Sequence, residues 1–276
     1  MHSIFLAVVF ALLSAATMAA GTVWRHRIMR DGSSVVKSMR RPAWWASMGL
    51  AFLAYGFQAA ALAFGTLLVV QPILALSLML TLVFSARAEH RRMHQAEAFW
   101  AIVLTASVAS VIVFGRPIPG EREPATWEWA TVVGVGAVVS ILALAIASRR
   151  RPNTRALIDG IICGAMFGFQ AVFSKVAVDA FVHGGISGLL ASWQLWAMLV
   201  AATAGTIVQQ YAFAAGNLAT SLPASKIVEP LLAFSLSLTL LGESFRHQSV
   251  LGYVLVGSSI SVMLISAAFL TRVSIK

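Results

Sequence analysis

Nine runs of roughly 20 apolar residues, separated by short polar stretches, constrain this chain more than any single motif does. They lie at about 3–24, 43–64, 67–86, 97–114, 126–147, 156–177, 187–214, 220–242 and 247–270. Each is long enough to cross a bilayer as a helix, because a helix rises about 1.5 Å per residue. Only 11% of the residues are charged, against about 25% in a soluble domain. The fold class expected is therefore an all-α polytopic membrane protein with about nine transmembrane helices.

The loops between these runs separate into two kinds. Arg25, Arg27, Arg30, Lys37, Arg40, Arg41, Arg87, Arg91, Arg92, Arg149, Arg150, Arg151, Arg155, Arg272 and Lys276 follow the odd-numbered runs, and only Arg116, Arg122 and Arg246 follow the even ones. Under the positive-inside rule this bias sets the N-terminus outside and the C-terminus in the cytoplasm. It also accounts for the net charge of +10 without a nucleic-acid partner. Trp24, Trp44, Trp45 and Trp100 fall near the expected cytoplasmic ends, and Trp127, Trp129 and Trp193 near the outer ends, as an interfacial belt would have them. No basic residue precedes the first run, which argues for a retained helix rather than a cleaved leader. From 180 to 225 no formal charge occurs, and this stretch reads as one long helix followed by a turn at Gly216, Asn217 and Pro223.

An internal repeat orders the runs. VVQPILALSLMLTL at 69–82 matches IVEPLLAFSLSLTL at 227–240 in nine of fourteen positions, including the proline, an alanine, a serine and a threonine in register. These are the third and eighth runs; five apart, they cross in opposite directions. The expected architecture is two inverted four-helix repeats joined by a reversing helix. The first repeat spans 1–118, the reversing helix and basic linker 119–152, and the second repeat 153–276. Helices one and six echo each other in small residues, Ala15, Ala16, Ala19, Ala20 and Gly21 against Gly160, Gly164 and Gly168, which also suits close helix contact. Inverted repeats favour a transporter with its site near the midplane between the halves.

Polar groups inside the runs are the candidate site. Glu229 lies about seven residues into its helix, roughly 10 Å deep at 1.5 Å per residue. An ionisable group at that depth points to cation, proton or amine binding. Lys226, three residues before it, offers the alternative of a local ion pair. Pro72 and Pro230 mark helix breaks, since each leaves the carbonyl four residues earlier without its partner. Gln58, Gln71, Gln170 and Gln210 can line an uncharged polar site or bond across helices. Lys175 reads either as an anion contact from the outer side or as the i,i+4 partner of Asp179. Asp159 suits the start of helix six. His90 and His94 sit among arginines and read as solvated. Metal-protease, nucleophile-elbow and phosphate-loop motifs are absent, so neither an enzyme nor a bound cofactor or metal is expected.

Glu229-Pro230, Gly242-Glu243, Gln248, Gly252 and Gly257, with Phe169 to Lys175 in helix six, resemble the second half of a drug/metabolite transporter of the EamA-like kind. The first half departs, with Gln71-Pro72 and a basic Ala88 to Arg92 turn. Nine helices, and the pattern from Trp44-Trp45 through Gln58 to Gln71-Pro72, are more similar to the NIPA-type magnesium transporter branch. The resemblance implies secondary transport of a small polar solute or metabolite by alternating access, with magnesium transport as the alternative. A lipid-carrier flippase or a non-transporting partner in envelope assembly is the reading from another class. The location expected is the bacterial cytoplasmic membrane, multi-pass. The partners are a small molecule or ion and the lipid bilayer, with a homodimer as the one protein assembly considered.

Overall fold

The computed structural model describes residues 3–30, 42–90, 92–120, 122–215, 218–246 and 250–273, with the backbone alone at 25–30, 44, 48, 210, 213–215, 218–220 and 273. Among these residues the chain forms nine α-helices: α1 Ile4–Arg30, α2 Pro42–Phe64, α3 Leu67–Ala88, α4 Gln95–Gly115, α5 Thr126–Ala147, α6 Pro152–Ala191, α7 Trp193–Ala215, α8 Leu218–Thr239 and α9 Val250–Val273. Seven of them, α1 to α6 and α9, are long and apolar enough to cross a membrane. The chain is a nearly all-helical membrane protein. Lys37, Arg40, Arg41, Arg91, Lys276, the turn at Gly216 and Asn217, and Gln248 lie outside the described residues.

The helices pack by one scheme used twice. α1 lies along α2 and α3, and α6 lies along α7 and α8. α4 and α9 pack on each other, and α3 meets α8. Hydrophobic burial gives helices little drive to associate in lipid, so close packing has to do it. On α1 the stripe Ala7, Ala11, Ala15 and Ala19 is fully buried. On α6 the glycines at 160, 164 and 168 fall on one face four residues apart. A Cβ on Gly164 would stand 2.6 Å from the Ser225 carbonyl oxygen, so the α6 and α8 backbones touch directly.

Two short strands join the ends of α4 and α8. β1, Pro117–Ile118, pairs antiparallel with β2, Ser244–Phe245, and the Arg246 amide adds bonds to the Gly115 and Arg116 carbonyls. Gly242 (φ 69°) makes the left-handed turn that leads from α8 into β2. Glu243, in the same turn, accepts from the Leu67 and Leu68 amides at 3.0 and 3.1 Å. The C-terminal end of α8 therefore abuts the N-terminal end of α3, and the two helices run antiparallel. The loops that carry few basic residues gather at this end: 64–67, 115–126 and 239–246 meet here, and Lys175 of α6 reaches the Leu62 carbonyl.

Three local expectations change. α6 runs from Pro152 to Ala191 with a break at Gly185 (φ 60°, ψ −153°), rather than ending at 177. No helix breaker stands between 177 and 183, and the Lys175–Asp179 pair and a His183 Nδ1 contact to the Asp179 carbonyl reinforce the added turns. α7 begins at Trp193, beyond Ser192, whose backbone is extended (ψ 122°). Trp129 is not an interfacial residue: it is 5% exposed, against Phe173 and Trp193 at ring separations of 5.7 and 5.4 Å. This aromatic cluster docks α5 onto α6 and α7. The rest of α5 presents apolar side chains such as Val135, Val139 and Ile141 outward, as a lipid-facing helix does.

Candidate functional site

A cavity of about 460 Å³ lies where α3 and α8 pass each other, walled also by α1, α2, α6, α7 and one residue of α9. Its polar wall is Thr22, Tyr55, Gln58, Gln71, Ser77, Thr81, Gln170, Gln209, Lys226 and Glu229. The matched sequence positions Gln71 and Glu229 both reach it. Each precedes a proline inside its helix, Pro72 in α3 and Pro230 in α8. A proline cannot donate to the carbonyl four residues back, so the Leu68 and Lys226 carbonyls lose their helical partner. Irregular backbone of this kind is tolerated at membrane depth where it is packed in protein or lines a cavity.

Lys226 donates to Glu229 Oε2 at 3.0 Å, the i,i+3 pair that the spacing predicts. The two side chains remain 35% and 25% exposed, so both charges face the cavity rather than closing on each other in packed protein. The glutamines differ. Gln58 and Gln71 are nearly buried, yet neither they nor Gln170 and Gln209 bond to another described residue. Buried amides are almost always bonded, so these four hold donors and acceptors for whatever enters. The hydroxyls are more restricted. Thr22 and Thr81 donate to carbonyls in their own helices, Met18 and Ser77, at 2.8 and 2.7 Å, and present only lone pairs. The wall thus offers amide donors and acceptors, one ammonium and one carboxylate, with no net charge.

The cavity is sealed at one end. Leu62, Leu67, Leu68, Val69 and Val70 are at most 1% exposed and close the end where α2 passes into α3. Glu243, 3% exposed, holds that seal. Its carboxylate also accepts from the Ser237 hydroxyl of α8. It thereby caps α3 from across the molecule, because Thr66, at the N-cap position, makes no side-chain cap. Burial pushes the Glu243 carboxyl above its ordinary range, and the bonds from Ser237, Leu67 and Leu68, with Lys175 nearby, pull it partway back. Arg122 adds to the closure, pairing with Glu128 and donating to the Thr239 carbonyl at 2.8 Å. Cavity-lining residues at the other end, Met18, Thr22 and Thr81, approach the ends of α1 and α3 that lead into basic loops.

Of the residues singled out in the sequence, Glu229, Lys226, Gln58, Gln71 and Gln170 meet in this cavity, with Pro230. Pro72 is buried beside Gln71 and is not part of the wall. The side chain of Gln210 lies outside the described residues, and its neighbour Gln209 lines the cavity. Lys175 does not. Its Nζ donates to the Leu62 carbonyl at 2.8 Å and pairs with Asp179 at 3.0 Å, so it ties α6 to the sealed end. Asp159 is 2% exposed, 3.6 Å from Arg155. His94 and Glu97 form the capping box of α4. Tyr55, Thr22, Thr81 and Glu243 were not singled out as site residues. Glu243 alone carried a signal, as the acidic residue after a turn glycine.

Among the described residues no group of three His, Cys, Asp or Glu side chains is placed to hold a metal ion. No family model matches the chain, and no solved structure matches it. An uncharacterized protein of Corynebacterium glutamicum is 47% identical to it over 282 aligned positions, which cover 99% of this chain and 97% of that protein.

Proposed function

Because this chain and that Corynebacterium glutamicum protein belong to one family, we propose one function for both: secondary transport of a small polar solute across the cytoplasmic membrane by alternating access. The observation that carries the reading is the cavity, walled by the matched helices α3 and α8 and by helices from both ends of the chain, with buried residues closing the end at Leu67. Nine membrane crossings, with the N-terminus outside, complete the proposal. The basic-poor loops that gather around Glu243 would then face outward, with the closed end of the cavity. The antiparallel run of α3 and α8 and the repeated packing scheme support two inverted halves, as in transporters that rock one repeat against the other. The drug/metabolite superfamily, in its nine-helix form, is the class proposed.

Glu229 would bind or couple. Its carboxylate can trade Lys226 for a proton or for a donor on the solute, while the four amides orient the rest. Magnesium is the weaker reading. That ion takes near-octahedral oxygen coordination, and Glu229, the one carboxylate of this wall, has an ammonium at 3.0 Å.

The test is flux in reconstituted vesicles, wild type against Glu229→Gln, under an imposed proton gradient and separately with magnesium. A hydrogen bond to a charged group is worth about 1.5–3 kcal/mol, so flux should fall about 10- to 100-fold in the variant. Equal flux in both proteins would remove Glu229 from the mechanism. Magnesium flux would replace the polar-solute reading.

A further inference from the structure

A second concavity lies outside the transport path, on the flank of the bundle between α3 and α4. It has a volume of about 480 Å³ and is lined by Met79, Val83, Ala101, Ile102, Ala106 and Ala109, with Thr105 as its one hydroxyl side chain. Thr105 donates to the Ala101 carbonyl at 2.8 Å, so the groove offers no free donor. α4 packs chiefly on α9 rather than on α3, and alanines on α4 leave the space open. Ile102 is 69% exposed, which places the groove on the lipid side.

Charge stands at one end of it. Met79, Val83 and Arg87 are four residues apart on α3, so they form one stripe that runs along the groove and ends in a cation. Arg92 immediately precedes Met93, which also lines the groove. Both arginines are exposed. Glu89 is the one exposed carboxylate among the described residues of the connecting loop, because Glu97 is buried and accepts from the His94 amide at 2.8 Å. The mouth is therefore cationic and the walls apolar.

We infer that this groove binds one anionic membrane phospholipid, with an acyl chain between α3 and α4 and its phosphate at Arg87 and Arg92. A chain seated there braces the outer face of α3 while the opposite face of the same helix, through Gln71, Ser77 and Thr81, lines the polar cavity. The inference rests on the membrane character of the chain and not on what the cavity carries. A basic residue near an anionic lipid surface is worth about fivefold in binding, so two give roughly a 25-fold preference for an anionic headgroup.

The test is native mass spectrometry of the purified full chain after incubation with equal amounts of phosphatidylglycerol and phosphatidylcholine. Wild type should retain phosphatidylglycerol with about that preference. Arg87→Gln/Arg92→Gln, changed only at exposed positions, should bring the two lipids near parity. Ala106→Phe, which fills the groove from an exposed site, should abolish retention of either lipid. Val139→Phe, the same ring on the lipid face of α5, should change nothing. Equal retention of the two lipids by wild type would overturn the inference, as would unchanged retention in Ala106→Phe. Loss of a second copy of the chain rather than of lipid mass would show that the groove is an interface instead.

Discussion

Replacing Glu243 with alanine removes the acceptor that holds the first two amides of α3. Both amides are buried, and an unsatisfied buried donor costs about 1–3 kcal/mol. Thr66 moderates the loss: it sits at the N-cap with extended backbone (ψ 158°), and its hydroxyl has no partner among the described residues, so it can turn to accept from one amide. The closed end is then destabilised by about 3 kcal/mol, or a hundredfold in the open population. Leu67 is fully buried and reports on that population. In a Cys163→Ala background, Leu67→Cys should react with a membrane-impermeant maleimide about a hundredfold faster when Glu243→Ala is added. Glu243→Gln keeps one acceptor and should fall between the two. Thr66→Val on top of Glu243→Ala should increase the rate further, by about fivefold. An unchanged labelling rate in Glu243→Ala, with the unfolding midpoint also unchanged, would refute the cap.

The same carboxyl has a pH signature. Its value in the folded chain lies above the ordinary 4.5, so its contribution to stability is fully present below that pH and is lost as pH rises through the folded value. Unfolding midpoints in detergent should fall across that window in wild type and fall less in Glu243→Gln. At Gly164 an alanine places a methyl 2.6 Å from the Ser225 carbonyl, so α6 and α8 must part; a loss of about 1–3 kcal/mol in chemical unfolding is expected. Single cysteines at the exposed positions Glu123 and His183 should label from outside intact cells, and one at Arg150 only after permeabilisation. Labelling of all three from one side would remove the proposed topology.

What was legible in the chain was what local spacing carries. The 69–82 and 227–240 match located the two helices that meet at the cavity, and the three-residue step from Lys226 to Glu229 predicted their pair. Gln58, Gln71 and Gln170 stood out because amides are costly in apolar helices. Rotational phase was not legible. α7 is apolar nearly all round, and such a helix does not declare that Gln209 is the face that reaches the cavity. The Lys175–Asp179 pair is legible from the four-residue step, but the second acceptor of Lys175, the Leu62 carbonyl, is 113 residues away and is not. The role of Glu243 and the β1–β2 pair likewise depend on contacts between the two halves, which no local pattern announces.

The matched positions Gln71 and Glu229 carry a last consequence. A perfectly duplicated pair of halves would offer a solute the same partners from either side of the membrane, and the two half-cycles would be energetically degenerate. Here one half brings an amide and the other a carboxylate with its own counter-ion. If the halves exchange roles during transport, the occupant leaves a different electrostatic environment on each side. Under the transport function proposed here, affinity and protonation would then differ between the two faces, and that difference would act as a rectifier written in a single amide-to-acid exchange at the axis of the duplication.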